Sequence, residues 1–164
     1  MNPTEHMAGT SQPTGRFETF TASQWVARPA AEVFPFFANP INLERITPPW
    51  LGFRMLNAST DEICEGTTID YALRIHGIPL RWRSRIESWK DQECFVDVQE
   101  KGPYAAWYHT HLFVEERGGT LLQDIVRYRL PGGWLGQQLA GRWVRRDVQG
   151  IFNYRQQVIA GLFS

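Results

Sequence analysis

Between Tyr104 and Pro131 the chain reads YAAWYHTHLFVEERGGTLLQDIVRYRLP, two long runs meeting at Arg117-Gly118-Gly119. Side chains on a strand alternate faces, so Trp107, His109, His111 and Phe113 share one side of the first run. Leu122, Asp124, Val126, Tyr128 and Leu130 share a side of the second, with Arg127 and Arg129 on the other. A two-residue turn at Gly118-Gly119 sets His109 opposite Tyr128, with Asp124 diagonal to His111. A turn at Arg117-Gly118 instead sets His111 directly opposite Asp124. Either register gathers two histidines, an aspartate, a tyrosine and a tryptophan on one face of a hairpin. Because the other face carries arginines, the mixed aromatic and polar face is read as the inner one. Such chemistry suits the wall of a cavity better than a dry core.

The remaining pattern supplies the partners this hairpin needs. Arg16 to Ala27 reads as a first strand. Pro29-Ala30-Ala31-Glu32 opens a short helix with Val33, Phe34 and Phe37 as its apolar stripe. Pro35 should kink or delay that helix, which ends by Asn39-Pro40. A second short helix is expected over Ile41 to Ile46, stopped by Pro48-Pro49. A short strand covers Phe53 to Asn57. From Thr67 the period is again two, with Ile69, Tyr71, Leu73 and Ile75 on one face. After a turn at Gly77, Leu80, Trp82, Ser84 and Ile86 face inward and Arg81, Arg83, Arg85 and Glu87 outward. Cys94, Val96 and Val98 continue as an inward set with Asp97 and Gln99 outward, and Asp70, Glu87 and Asp97 are then available to pair with the outer arginine row. Beyond Gly133 the spacing changes to three and four. Leu135, Leu139, Trp143, Val144, Val148, Ile151, Phe152, Val158 and Ile159 mark one long amphipathic helix, with Arg155 among the polar residues between them.

The fold class that uses all these faces is α+β. A curved antiparallel sheet of about six or seven strands wraps a long C-terminal helix, with two short helices after the first strand. The 164 residues suit one domain, read as residues 16–164 behind a disordered tail of residues 1–15. A formal net charge of zero provides no field to attract nucleic acid or anionic lipid. No apolar run reaches the length of a membrane span, and the expected location is cytoplasmic. Cys64 and Cys94 lack the spacing of a zinc or redox motif and are read as reduced, buried thiols.

Among candidate sites, His109 and His111 could orient a polar ligand group or move a proton, with Asp124 fixing the tautomer of His111. The same residues could equally form a self-satisfied buried network. His109-x-His111-x-x-x-Glu115 also matches the spacing of a cupin metal motif. Against it stand the lack of a later histidine, the position of Glu115 beside the turn, and the long C-terminal helix, so neither metal nor cofactor is expected. Tyr71, Trp82, Trp107 and Tyr128 are inward aromatics with polar tips that favour a cavity. No nucleophile elbow, P-loop or dinucleotide fingerprint is present.

Residues 29–50 (PAAEVFPFFANPINLERITPPW) together with 107–131 resemble the START-like, or SRPBCC, superfamily and its helix-grip fold. The similarity is to bacterial proteins described as polyketide cyclase/dehydrase-like or ligand-binding, and it covers about residues 16–160. It implies a cavity between sheet and C-terminal helix that takes an apolar or aromatic molecule: a lipid, an isoprenoid quinone or a polyketide-like compound. Trp107, Tyr71, Trp82, Phe36 and Phe37 are the expected apolar contacts, and His109, His111, Asp124 and Tyr128 the orienting ones. The alternative is a cyclase or dehydratase using His109, His111 and Asp124 for acid/base work in the same pocket. A protein-interaction module is a further class, which calls for a filled interior and an exposed apolar patch. Monomer and homodimer both fit, and fold alone does not carry chemistry.

Overall fold

The computed structural model describes residues 17–164, so the expected tail of residues 1–15 lies outside the described residues. Seven strands, β1 (Glu18–Val26), β2 (Arg54–Ala58), β3 (Thr68–Ile75), β4 (Ile78–Lys90), β5 (Cys94–Lys101), β6 (Ala106–Glu116) and β7 (Gly119–Arg129), form one sheet. Its order is β1-β7-β6-β5-β4-β3-β2, antiparallel throughout. Helix α1 (Ala30–Phe37) follows β1, and α2 (Gly133–Leu162) closes the chain.

The two hairpins that build the sheet end in matching turns. Ile75 pairs with Ile78 across His76-Gly77, and Glu116 pairs with Gly119 across Arg117-Gly118. All four turn residues have positive φ, 50° and 83° in the first and 53° and 74° in the second. That backbone matches the right-handed twist of the flanking strands, which is why two-residue hairpins favour it. It settles the register of β6 and β7: His111 lies opposite Asp124, and Trp107 opposite Tyr128.

Helix α1 tolerates Pro35 because the ring falls in a helix of only eight residues. Pro29 offers no side-chain cap to its first turn. The Ala30 N–H donates instead to Glu115 Oε1 at 3.2 Å, so a carboxylate from β6 does the capping. The expected second helix is shorter than its sequence pattern, a 3-10 turn at Pro40–Leu43, and a further 3-10 turn forms at Pro49–Leu51. Both begin at proline, whose fixed φ suits a first turn and whose missing N–H is not needed there.

Two expectations about orientation are overturned. Asp97 pairs with His109 and Phe95 with His111, so Phe95 and Asp97 point inward and Cys94 and Val96 outward. A bulge between Ile86 and Ser88 shifts the facing strand, bringing Trp89 beside Phe95 with rings stacked at 5.2 Å. Gln99, also expected outward, is tied to the β5–β6 loop through both backbone groups of Tyr104. The second correction concerns α2. Its buried residues are Gly141, Val148, Phe152, Arg155 and Ile159. Trp134, Leu135, Leu139 and Trp143 stand in solvent, 52–80% exposed. The helix meets the sheet only from Trp143 and Val144 onward. Of the cysteines, Cys64 is an exposed free thiol and Cys94 a partly buried one.

The outer sheet face behaves as the arginine row implies. Arg83 forms a two-pronged pair with Asp70 at 2.8 and 2.9 Å, and Arg85 reaches Glu100 at 3.0 Å. Asp97 takes no part in it.

Candidate functional site

A cavity of about 200 Å³ lies between the concave sheet face and α2. Each wall traces to a period. Tyr71 of β3, Trp82 of β4 and Trp107 of β6 come from positions that share the inner face, and Val148 and Phe152 come from the buried stripe of α2. The tip of the β3–β4 hairpin touches the helix through His76 Nε2 and Asp147 Oδ2, 2.8 Å apart. Sheet and helix thus meet again beyond the cavity.

One end of the cavity is polar, and five side chains build it. His109 and His111 project side by side from β6, their rings 3.7 Å apart. Asp97 on β5 and Asp124 on β7 flank them. His111 Nε2 lies 2.9 Å from Asp97 Oδ2 and its Nδ1 lies 3.2 Å from Asp124 Oδ1. His109 Nε2 lies 2.9 Å from Asp124 Oδ1, with its Nδ1 3.6 Å from Asp97 Oδ2. Arg155 of α2 enters from the helix side, Nη2 being 3.4 Å from both Asp124 Oδ1 and His111 Nδ1. A second chain of polar contacts leads away along β4: Trp82 Nε1–H donates to Ser84 Oγ at 3.0 Å, and Ser84 Oγ–H to Asp97 Oδ1 at 3.4 Å.

Burial sets the electrostatics of this cluster. For both aspartates, loss of water pushes the carboxyl upward, but the partners outweigh it. Hydrogen bonding to His111 and the charges of His109, His111 and Arg155 hold Asp97 below its ordinary value. Arg155 and the two histidines hold Asp124 well below. His109 is displaced downward, first by burial and then by its neighbour His111, against the pull of both aspartates. Its imidazole is therefore neutral at pH 7. Burial, helped by the charge of Asp97, pushes the Tyr71 hydroxyl up and keeps it a neutral donor. Within the cluster, Arg155 Nε is buried without a hydrogen-bond partner.

Tyr71, Trp82, Trp107, His109, His111 and Phe37 all line the cavity, as expected from their faces. Asp124 stands behind the histidines, in a crevice shared with Arg155. Tyr128 and Phe36, expected on the wall, do not reach it. Tyr128 is 1% exposed and packs behind Trp107, and Phe36 packs against Phe37 and Phe163. Glu115 faces the start of α1 rather than the histidines.

Two members of the cluster depart from the sequence pattern, Asp97 from an outward strand phase and Arg155 from the polar positions between the apolar residues of the helix. For Arg155 a signal was present: Val148, Phe152, Arg155 and Ile159 follow the four–three–four spacing of one helix face, so the arginine occupies a stripe position. For Asp97 no comparable signal exists. Residues 94–98, CFVDV, carry apolar side chains on both phases, and only the pairing with β6 selects one.

No protein-family model and no curated protein matches this chain. Solved structures do. The major latex-like protein 151 from Panax ginseng superposes with a TM-score of 0.68 at 9% identity, over 92% of this chain and 99% of that one. Protein Ms6760 from Mycobacterium smegmatis gives 0.63 at 17%, over 88% and 92%. A nucleoside-diphosphate sugar epimerase from Corynebacterium glutamicum gives 0.65 at 23%, over 87% of this chain but only 28% of the larger enzyme. Identities this low establish architecture alone: a curved antiparallel sheet closed on a long C-terminal helix, the helix-grip fold.

Proposed function

We propose that this protein binds an apolar or aromatic small molecule carrying a polar end, of the lipid, isoprenoid quinone or polyketide class. The observation that carries the reading is the division of the cavity into an apolar body and a polar end. Aromatic and aliphatic side chains surround most of it, while Asp97, His109, His111 and Arg155 converge at one end. Ligand sites have this composition because apolar contact supplies affinity and a few placed polar groups supply orientation. Tyr71 keeps its proton and adds a hydroxyl donor to the wall. The buried, unpartnered Nε–H of Arg155 favours a ligand with an oxygen acceptor at the polar end.

Native mass spectrometry of freshly purified protein tests this directly. The expected result is a non-covalent adduct of a few hundred daltons that is lost on denaturation. Because Trp82 and Trp107 line the cavity, ligand addition should also change tryptophan fluorescence, and Trp107→Ala should weaken binding. Binding that survives both Trp107→Ala and Phe152→Ala would place the ligand elsewhere.

A second reading, a cyclase or dehydratase, is favoured by one observation: His109 is a neutral imidazole on the cavity wall whose Nε2 is held by Asp124. Such a group can accept a proton. Under this reading His109→Gln and His111→Ala lose turnover while ligand still binds. Under the carrier reading, affinity changes and there is no turnover to lose.

A further inference from the structure

We propose that Asp97, His109 and His111 form a binding site for a divalent first-row transition metal, with Asp124 as its outer support and the cavity as its open side. Asp97 Oδ2 faces a nitrogen of each histidine, His111 Nε2 at 2.9 Å and His109 Nδ1 at 3.6 Å, and the three residues bring their ligand atoms within 4.8 Å of one another. Ligand atoms around a tetrahedral zinc with bonds of about 2.0–2.1 Å stand ~3.3 Å from one another, a spacing that the two carboxylate–nitrogen distances bracket.

The carboxylates flanking the histidines fit the same site. Each imidazole turns one nitrogen to Asp97 and the other to Asp124, at nitrogen–oxygen distances of 2.9–3.6 Å. His109 Nε2 is hydrogen-bonded to Asp124 Oδ1 and His111 Nε2 to Asp97 Oδ2, both at 2.9 Å, whereas His109 Nδ1 stands 3.6 Å from Asp97 Oδ2, beyond hydrogen-bond reach. A cation at Asp97 takes the place of the His111–Asp97 hydrogen bond and gives His109 Nδ1 a partner. His109 then keeps its contact with Asp124, the carboxylate support that metal-bound histidine ordinarily has. Arg155 balances Asp124 from the far side, next to His111 Nδ1 rather than Nε2, so the guanidinium does not compete for the metal's position.

Two imidazoles and a carboxylate suit zinc, iron(II) or cobalt(II) and are too nitrogen-rich for calcium or magnesium. Three protein ligands leave a fourth position. All three residues line the cavity, so that position opens towards it. This donor set is not the sequence triplet His109-x-His111-x-x-x-Glu115, since Glu115 caps α1. The third ligand comes from a neighbouring strand. The site does not depend on the organic ligand proposed above.

The test is calorimetric titration of the chelator-treated full chain with zinc chloride. One ion per chain is expected. His109→Gln, His111→Gln and Asp97→Asn should each abolish that binding. Asp124→Asn should weaken it by about 10–100-fold. Glu115→Gln and His76→Gln should leave it unchanged. Absence of binding by the parent chain, or its survival in both His109→Gln and His111→Gln, overturns the proposal. Should the variants fail to fold, cobalt(II) bound to the parent chain decides the matter. Two hyperfine-shifted imidazole N–H signals and no thiolate charge-transfer band support the site. A thiolate band, or an unshifted imidazole spectrum, overturns it.

Discussion

The most consequential side chain is Arg155, a cation set in the apolar stripe of a helix and 8% exposed. Its neighbour Asp124 is largely shielded and ionised, and the arginine is its nearest fixed positive charge. Replacing one member of a buried pair leaves the other charged without compensation, and that loss exceeds the worth of the intact pair. Arg155→Met should therefore cost about 3–5 kcal/mol by urea unfolding, although methionine is the better apolar residue. A neutral or stabilising result would mean that the histidines alone sustain Asp124. The cluster also sets an acid limit for chelator-treated protein. His109 has a folded value below its unfolded one of about 6.5, so the unfolded chain takes up the proton first and stability falls as pH drops below that point. Asp97 and Asp124 are depressed in the fold. Their contribution is complete above the unfolded carboxylate value of about 3.9 and is lost as pH falls through the folded values. Calorimetric melting temperatures should thus decline from pH 7 towards pH 5 and again below pH 4. His109→Gln should flatten the first part of that decline, and a flat parent profile between pH 7 and 5 would contradict the assignment.

At the scale of elements, the β6–β7 hairpin joins the site to the rest of the chain. Its turn requires two left-handed residues, yet only one is glycine: Arg117 has φ 53°. A residue with a Cβ is strained there, and asparagine adopts the conformation most readily among the others. Arg117→Asn should raise stability by about 0.5–1 kcal/mol, read as an upward shift in melting temperature. The same hairpin caps α1 through Glu115. Glu115→Ala should cost about 1 kcal/mol by denaturant titration, with zinc stoichiometry unaltered. Loss of metal together with that stability would return Glu115 to the ligand set.

For the whole molecule, α2 divides into two unequal parts. From Val148 onward it closes the cavity and shares a core with β1 and β7, where Phe20 and Phe152 pack at 4.9 Å. Before that it holds Trp134 and Leu139 in solvent, and Trp143 meets the ring of His76 at the β3–β4 turn, all three 70–80% exposed. Stability should follow this division. Phe152→Ala should cost about 3–5 kcal/mol, whereas Leu139→Glu should remain within about 0.5 kcal/mol. Equilibrium urea unfolding of the two variants makes the comparison, and equal losses would mean that the first half of α2 is packed in solution. No helix among the described residues is long and apolar enough to cross a membrane.

What the amino-acid sequence determined by itself was periodicity. A period of two through Tyr71, Trp82, His109 and Tyr128, changing to three and four after Gly133, already called for a curved sheet closed on a helix. It also put both histidines and Asp124 on one face. Local rules act through near neighbours, and these features need nothing more. Tertiary structure alone decided the rest. The phase of CFVDV depends on pairing between β5 and β6 and on a bulge in β4, so Asp97 could not be placed from its own neighbours. The point where α2 leaves the sheet depends on the sheet's curvature, so Leu139 and Trp143 share a period with buried residues and yet lie in solvent. Tyr128 shares the inner face of the sheet but lies behind Trp107, because depth within a face is set by packing and not by alternation.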